Sequence, residues 1–578
     1  MKTKKKTKIE PPKKGDKKEI WLISPRVDEQ LKKSWVSLVF LAVLFLAAFL
    51  IRLSLLKYYQ APLTGDAAIY GKIAWGIKNG HGLHWWSMVW PPFYPFMTFL
   101  FSFVVGSLES AAFGVSVFLG SLAVVPFFFL AKRILDYRAA YLGSLLVVFF
   151  PALIVTSVVP LSEATYTFFL LATLLAGWSL MSKRAYIDAF LFGALSGICY
   201  LTRPEFLVGF AFILLVFVAP EIKKNGRGKS RALALLSVSL VGFLILAFPY
   251  INFMHSQSGN WILSGKTAHN VLKQKAYSRG MTYLEQRKAF AEVLDGLTEE
   301  GEVKGRVLLG EESITNFIAS AGFFASYFRS AWMGLKKTNL FFLIFLFLSV
   351  FYIFSWKVDR EGWPKRVFLL CAFSPMLTMP IFFSPAGRLI EPYSPLLILL
   401  SVGGILNIKR SLAKLSKHAG TTPGSTLGSL AVLLVASLLC VFSVIKVNDM
   451  AKSHQRTFRS IKLESEEFKK LGLWADRILP EDARVIFLSG DSFFFYCNRV
   501  TFPMPFEAFD RIVEFARKNQ ADHVVASLGK EASWREDLFF LLEPLNDRTK
   551  IPEDTRLRLL DVYQAPSGLG AVVYRFAF

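Results

Sequence analysis

Four charged positions stand beside apolar runs at places where a charge is costly unless it is used: Asp66, Glu163, the pair Arg203 and Glu205, and the pair Arg388 and Glu391. Two arginines can grip a phosphate with planar, forked hydrogen bonds. A carboxylate such as Asp66 can take the proton of an attacking hydroxyl. Together they suit a polar cavity at one edge of a bilayer. A lipid phosphate could present its head there and keep its tail in the membrane. Each residue also has a plainer reading. Asp66 could cap the helix that starts after it, and Glu163 could be a first-turn acid stabilised by the helix dipole. Arg203, before Pro204, could mark a solvated turn. Arg388 could be an interfacial anchor that snorkels.

The elements that must position these residues are membrane helices. The chain has 578 residues, of which 53% are hydrophobic, too many throughout for a soluble protein of this size. Apolar runs long enough to span a bilayer fall at 35–56, 110–131, 139–159, 164–181, 186–201, 206–219, 232–252, 339–356, 367–383, 389–408 and 427–446. This predicts a polytopic α-helical membrane protein of about eleven spans. The segment 93–105 follows Pro91-Pro92 and reads as a helix dipping into the interface. A crossing there would put Lys132, Arg133 and Arg138 on the wrong side.

The net charge of +24 first suggests nucleic acid, but the cations cluster in short segments between apolar runs, where they orient spans and meet anionic lipid. Nucleic acid is therefore not an expected partner. The basic arm 1–34 should lie in the cytoplasm, which puts loops 57–108 and 253–337 and the segment 450–578 on the outer face. The arm is too long for a cleavable signal peptide. An aromatic amphipathic stretch at 314–333 should rest on the membrane. In 450–578, strands are expected at 483–489, 523–527, 557–563 and 570–576 and helices at 508–518 and 533–542, giving a small soluble α/β domain.

Several residues invite chemistry without a pattern to support it. His81, His84, His255 and His269 lack ligand spacing, and Cys199, Cys371, Cys440 and Cys497 form no CxxC pair, so neither a metal site nor a disulfide framework is indicated. Trp75, Trp85, Trp86 and Trp90 read as interfacial anchors.

In order along the chain, Gly65-Asp66 with Tyr70, Pro91-Pro92-Phe93-Tyr94-Pro95, Leu161-Ser162-Glu163, Leu201-Thr202-Arg203-Pro204-Glu205, and Gly387-Arg388 before Pro392 and Pro395 resemble the GT-C superfamily of integral-membrane glycosyltransferases. Within it, the chain is similar to glycosyltransferase family 39 and its relatives, the protein O-mannosyltransferases and aminoarabinose lipid A transferases, over about 1–410. The resemblance implies transfer of a sugar from a polyprenyl-phosphate donor to an envelope acceptor (lipid, glycan or protein), with inversion and without metal or other cofactor. It implies Asp66 as general base and Glu163 as a residue ordering the site. Arg203 and Arg388 would lie at the donor phosphate, with Glu205, Tyr70 and Tyr94 as further substrate contacts. Relatives often carry Asp-Glu where this chain has Asp66-Ala67, and Glu163 is the natural substitute for that second carboxylate. A lipid or polysaccharide transporter or flippase, or a non-catalytic envelope scaffold, are the alternatives. A transporter should show paired interrupted helices and charges at the midplane.

Overall fold

The structure, a computed structural model, describes residues 25–80, 86–222, 227–265, 340–354, 362–382, 387–418, 425–488, 491–505, 507–527, 535–554 and 556–578. The expectations for His81, His84, Trp85, His269 and the stretch 314–333 lie outside them. The helical part begins with α1 (Pro25–Lys32), α2 (Ser34–Tyr59), α3 (Asp66–Lys78), α4 (Phe93–Val105), α5 (Leu108–Leu122) and α6 (Val124–Ile134). It continues with α7 (Tyr137–Val148), α8 (Pro151–Ser157), α9 (Glu163–Lys183), α10 (Tyr186–Thr202), α11 (Phe206–Ile222) and α12 (Arg227–Ser258). After α13 (Leu340–Ile353) and α14 (Trp363–Phe382) come the short α15 (Gly387–Ile390), a 3-10 turn (Glu391–Tyr393), α16 (Ser394–His418) and α17 (Ser425–Thr457).

Among the described residues, five helices are long and apolar enough to cross a membrane, or six if the bent pair α7 and α8 forms one span. Four shorter apolar helices accompany them among the described residues, so the chain is a multi-pass membrane protein. The run expected as one span at 139–159 is broken, its halves bent by 56°. The cause is local: Pro151 opens α8, where its missing N–H is harmless, and cannot continue α7.

Apolar side chains of α2 (Leu38, Val43, Leu46, Leu50) and of α12 (Val241, Ile245, Phe248) remain exposed and form the lipid-facing perimeter. Inside, α10 and α12 touch backbone to backbone. A Cβ on Gly193 would lie 1.9 Å from the Ser239 carbonyl oxygen, so only glycine permits this approach. Arg52, buried within apolar α2, donates to the Ala48 and Leu153 carbonyl oxygens at 3.2 and 3.4 Å, which gives a charge in the bundle backbone partners.

α17 runs to Thr457, and its Val447 and Ala451 pack with Leu55, Tyr59, Ile154 and Val158. The α/β domain follows with α18 (Arg459–Ile478), β1 (Arg484–Phe487), α19 (Asp491–Tyr496), β2 (Val500–Pro503), α20 (Phe509–Lys518), β3 (His523–Ser527), β4 (Leu557–Gln564) and β5 (Gly570–Phe576). The strand order is β2-β1-β3-β5-β4. β1 pairs in parallel with β2 and β3, whereas β5 pairs antiparallel with β3 and β4. Alternation divides two cores. Ile486, Val524 and Tyr574 pack with Ile512 and Leu541 on one face, and Val485, Phe487 and Val573 pack with Phe468, Leu471 and Phe493 on the other. The helix expected at 533–542 is a 3-10 run, Glu536–Leu545, containing Pro544. β2, unforeseen, is a four-residue edge strand ending in Pro503.

Candidate active site

α3 lies on α4 and α5; α2 ends before the extended Gln60, and Gly65 opens α3 at φ 55°. That left-handed geometry suits glycine. Gly65 is the N-cap and Asp66 the first helical residue, so the reading of Asp66 as a cap is corrected. Its carboxylate is one-third exposed and turned toward other elements. Arg388 Nη2 donates to Asp66 Oδ2 at 2.6 Å, and Trp90 Nε1 donates to Asp66 Oδ1 at 3.2 Å.

Glu163 opens α9 after Ser162 and keeps its first-turn place at the helix dipole, but it is buried. Its Oε1 lies 4.0 Å from Arg388 Nε, and its Oε2 has no hydrogen-bonding partner among the described residues. Arg388 thus pairs with Asp66 and Glu163 rather than serving only as an anchor, and Glu391 heads the following 3-10 turn.

Arg203 closes α10 in extended conformation ahead of Pro204. It is 2% exposed, so the solvated-turn reading does not hold. Arg203 Nε donates to Glu205 Oε1 at 2.7 Å. Both terminal nitrogens, Nη1 and Nη2, lack hydrogen-bonding partners among the described residues. Glu163 is close enough to act on Arg203 electrostatically. The guanidinium lies 5.4 Å from the Tyr166 ring, whose hydroxyl meets that of Tyr393 at 2.6 Å.

Tyr70, one turn after Asp66, donates to Ser162 Oγ at 3.4 Å. Burial first, and the Asp66 carboxylate second, push its hydroxyl well above the usual range, so it stays a donor. Tyr94 is placed behind it: its rings meet Tyr70 edge-on at 5.1 Å, and its hydroxyl donates to the Ala112 carbonyl at 2.9 Å. Tyr94 therefore packs Tyr70 in place and does not present its hydroxyl to a cavity. Asp66, Tyr70, Glu163, Arg203, Glu205 and Arg388 are brought together.

Sequence reasoning missed Trp90, which reads as one more interfacial tryptophan, as well as Ser162, Tyr166 and Tyr393. Trp90 directly precedes the Pro91-Pro92 motif, which was the available signal. Of the other tryptophans, Trp86 packs on Tyr250 and Phe253 and Trp75 on the Lys72 ammonium. His255 stacks on Trp261. Among the described residues no three His, Cys, Asp or Glu side chains converge as metal ligands. A cleft of about 1020 Å³ lies elsewhere, between Trp75, Lys78 and Asn79 of α3 and Asp476, Glu481 and Asn498 of the sheet domain.

Residues 89–251 match the family model described as dolichyl-phosphate-mannose-protein mannosyltransferase. No curated protein matches the chain by sequence. Among solved structures, the oligosaccharyltransferase of Archaeoglobus fulgidus is similar in its apo form, at TM-score 0.54 and 12% identity over 93% of this chain and 75% of that one. The archaeal oligosaccharyltransferase AglB from Archaeoglobus fulgidus, in complex with an inhibitory peptide and a dolichol-phosphate, aligns at TM-score 0.52 and 12% identity over 93% and 74%. ArnT from Cupriavidus metallidurans bound to undecaprenyl phosphate aligns at TM-score 0.48 and 14% identity over 94% and 98%. The chain thus shares the fold of the archaeal oligosaccharyltransferase structures, and its segment 89–251 is similar to the mannosyltransferase family model.

Proposed function

We propose that the chain transfers a sugar from a polyprenyl-phosphate donor to an envelope acceptor at the outer face of the inner membrane, with inversion at the anomeric carbon. The observation that carries this is Arg203. Its guanidinium is buried and held by Glu205, yet among the described residues Nη1 and Nη2 have no hydrogen-bonding partner, with Glu163 near. A buried cation left with two free donors is costly unless a ligand completes it. A phosphate offers two oxygens in the matching fork. The dolichol-phosphate held by the similarly folded archaeal enzyme is a ligand of that chemistry.

Arg388 supplies a second cation, half exposed, between Asp66 and Glu163. The acceptor hydroxyl oxygen attacks the anomeric carbon from the side opposite the phosphate. The new carbon–oxygen bond forms as the bond to the phosphate oxygen breaks, and Asp66 takes the hydroxyl proton. Polyprenyl phosphate departs with the electron pair, its charge met by Arg203 and Arg388. Arg388 also orients the Asp66 carboxylate through the hydrogen bond that its Nη2 donates to Oδ2.

Mass spectrometry of a deletion strain tests this reading. Loss of one envelope decoration, with build-up of one polyprenyl-phosphate sugar, is expected. An unchanged lipid-linked pool and unchanged envelope glycans would refute it.

A further inference from the structure

The helix that carries Asp66 is clamped from two sides, and the second side is the sheet domain. α3 has 13 residues, and its inner side packs on α4 and α5. Its other side receives α19. Tyr496 Oη accepts the Leu63 N–H at 3.0 Å, three residues before Asp66. Five residues after Asp66, the Phe495 ring lies directly on the α3 backbone. A Cβ on Gly71 would come within 2.8 Å of that ring and 2.9 Å of Leu63 Cδ1. Next to it, the buried Lys72 ammonium donates to the Arg499 carbonyl.

These contacts are core rather than surface. Leu63, Ala67, Ala68, Ala74, Phe495 and Tyr496 share one buried apolar cluster. A fourth tie fastens the domain to the bundle itself, where Lys469 Nζ donates to Glu109 Oε2 at 2.7 Å with the same ammonium 4.7 Å from the Tyr496 ring. Asp66 is thus bracketed by domain contacts at 63, 71 and 72. Its own ion pair to Arg388 is too exposed to hold a helix in place.

We propose that Phe495 and Tyr496 are positioning residues through which the sheet domain sets where α3 holds Asp66 against Arg388 and Trp90. The inference rests on the proposed sugar transfer for its catalytic consequence. A misplacement of about 1 Å costs on the order of 10²-fold in rate when reacting groups must align. Donor affinity, set by Arg203 and Arg388 on other elements, has no reason to follow.

The test uses the full chain in lipid nanodiscs and three variants, Phe495→Ala, Tyr496→Phe and Gly71→Ala. The last disturbs the clamp from the α3 side and leaves the domain core intact. Two readouts are taken: hydrogen exchange over 63–78, and initial rates with a polyprenyl-phosphate sugar. Exchange over 63–78 should rise roughly tenfold or more while α9 and α10 stay protected. kcat should fall about 10- to 100-fold with donor KM unchanged. Wild-type exchange over 63–78, wild-type kcat, or a fall in kcat matched by loss of protection in every helix would overturn the proposal. If the wild-type chain transfers no sugar yet exchange over 63–78 rises in the variants, the transferase reading fails and the clamp stands.

Discussion

Replacing Asp66 by Asn separates a base from a structural ion pair, because the two roles differ in size. The carboxylate accepts from Arg388 at 2.6 Å and from Trp90 at 3.2 Å. Asn preserves the volume and one acceptor oxygen for Trp90. It removes the charge facing Arg388 and the capacity to take a proton. The Arg388 and Asp66 side chains are 44% and 34% exposed, so solvent screens the pair and its loss should cost about 0–1 kcal/mol. That is at most about a fivefold effect. Loss of a general base removes about 10²–10⁴ in rate, equivalent to roughly 2.7–5.5 kcal/mol of barrier. Helix capping does not confuse the result, since Gly65 and not Asp66 is the N-cap. In initial-rate assays with saturating lipid-linked sugar, Asp66→Asn should lower kcat by about 10²–10⁴ with melting temperature and donor KM close to wild type. Turnover within about fivefold of wild type in the folded variant would leave only the ion-pair role. Glu163, whose Oε2 has no hydrogen-bonding partner among the described residues, would then be the next carboxylate to test as base.

Arg203→Lys and Arg388→Lys keep the charge and lose the fork, so donor KM should rise in both, more for Arg203, which is 2% exposed. Unchanged donor KM in both would remove them from the phosphate site. Single cysteines placed at Lys229 and Lys414 should be labelled only from the cytoplasm, and one at Lys530 only from outside. Labelling of the last from the cytoplasm would reject the proposed orientation. Burial, above all other causes, brings the Lys72 ammonium from 10.5 down to about 7. Between these values the folded chain binds fewer protons than the unfolded one, so stability should increase as pH rises from about 7 toward 10.5. Melting temperature measured from pH 7 to 9 should show this rise in wild type and less of it in Lys72→Met, and equal slopes would count against the buried lysine as its source.

The sequence by itself determined the elements whose cause is local. Apolar runs flanked by cations make α2, α9, α10 and α12 helices wherever they lie, because a backbone in lipid must satisfy its own hydrogen bonds. Alternation and flanking turns gave β1, β3, β4 and β5. Arg203 and Glu205 are two residues apart, so their pairing could be read from spacing and is seen at 2.7 Å. The expectation that Asp66, Glu163, Arg203 and Arg388 share one edge of the bilayer followed from span order. Tertiary structure alone decided the rest. Asp66 and Arg388 stand 322 positions apart, and no periodicity carries information over that distance about which acid meets which base. A tryptophan at an interface and a tryptophan donating to Asp66 have the same sequence signature, so Trp90 was hidden. Tyr94 was singled out by its motif, but whether its hydroxyl faces a cavity or the Ala112 carbonyl depends on how α4 packs on α5. The seat of Phe495 on Gly71 is a property of two surfaces more than 400 residues apart in the chain, visible only once both elements are folded.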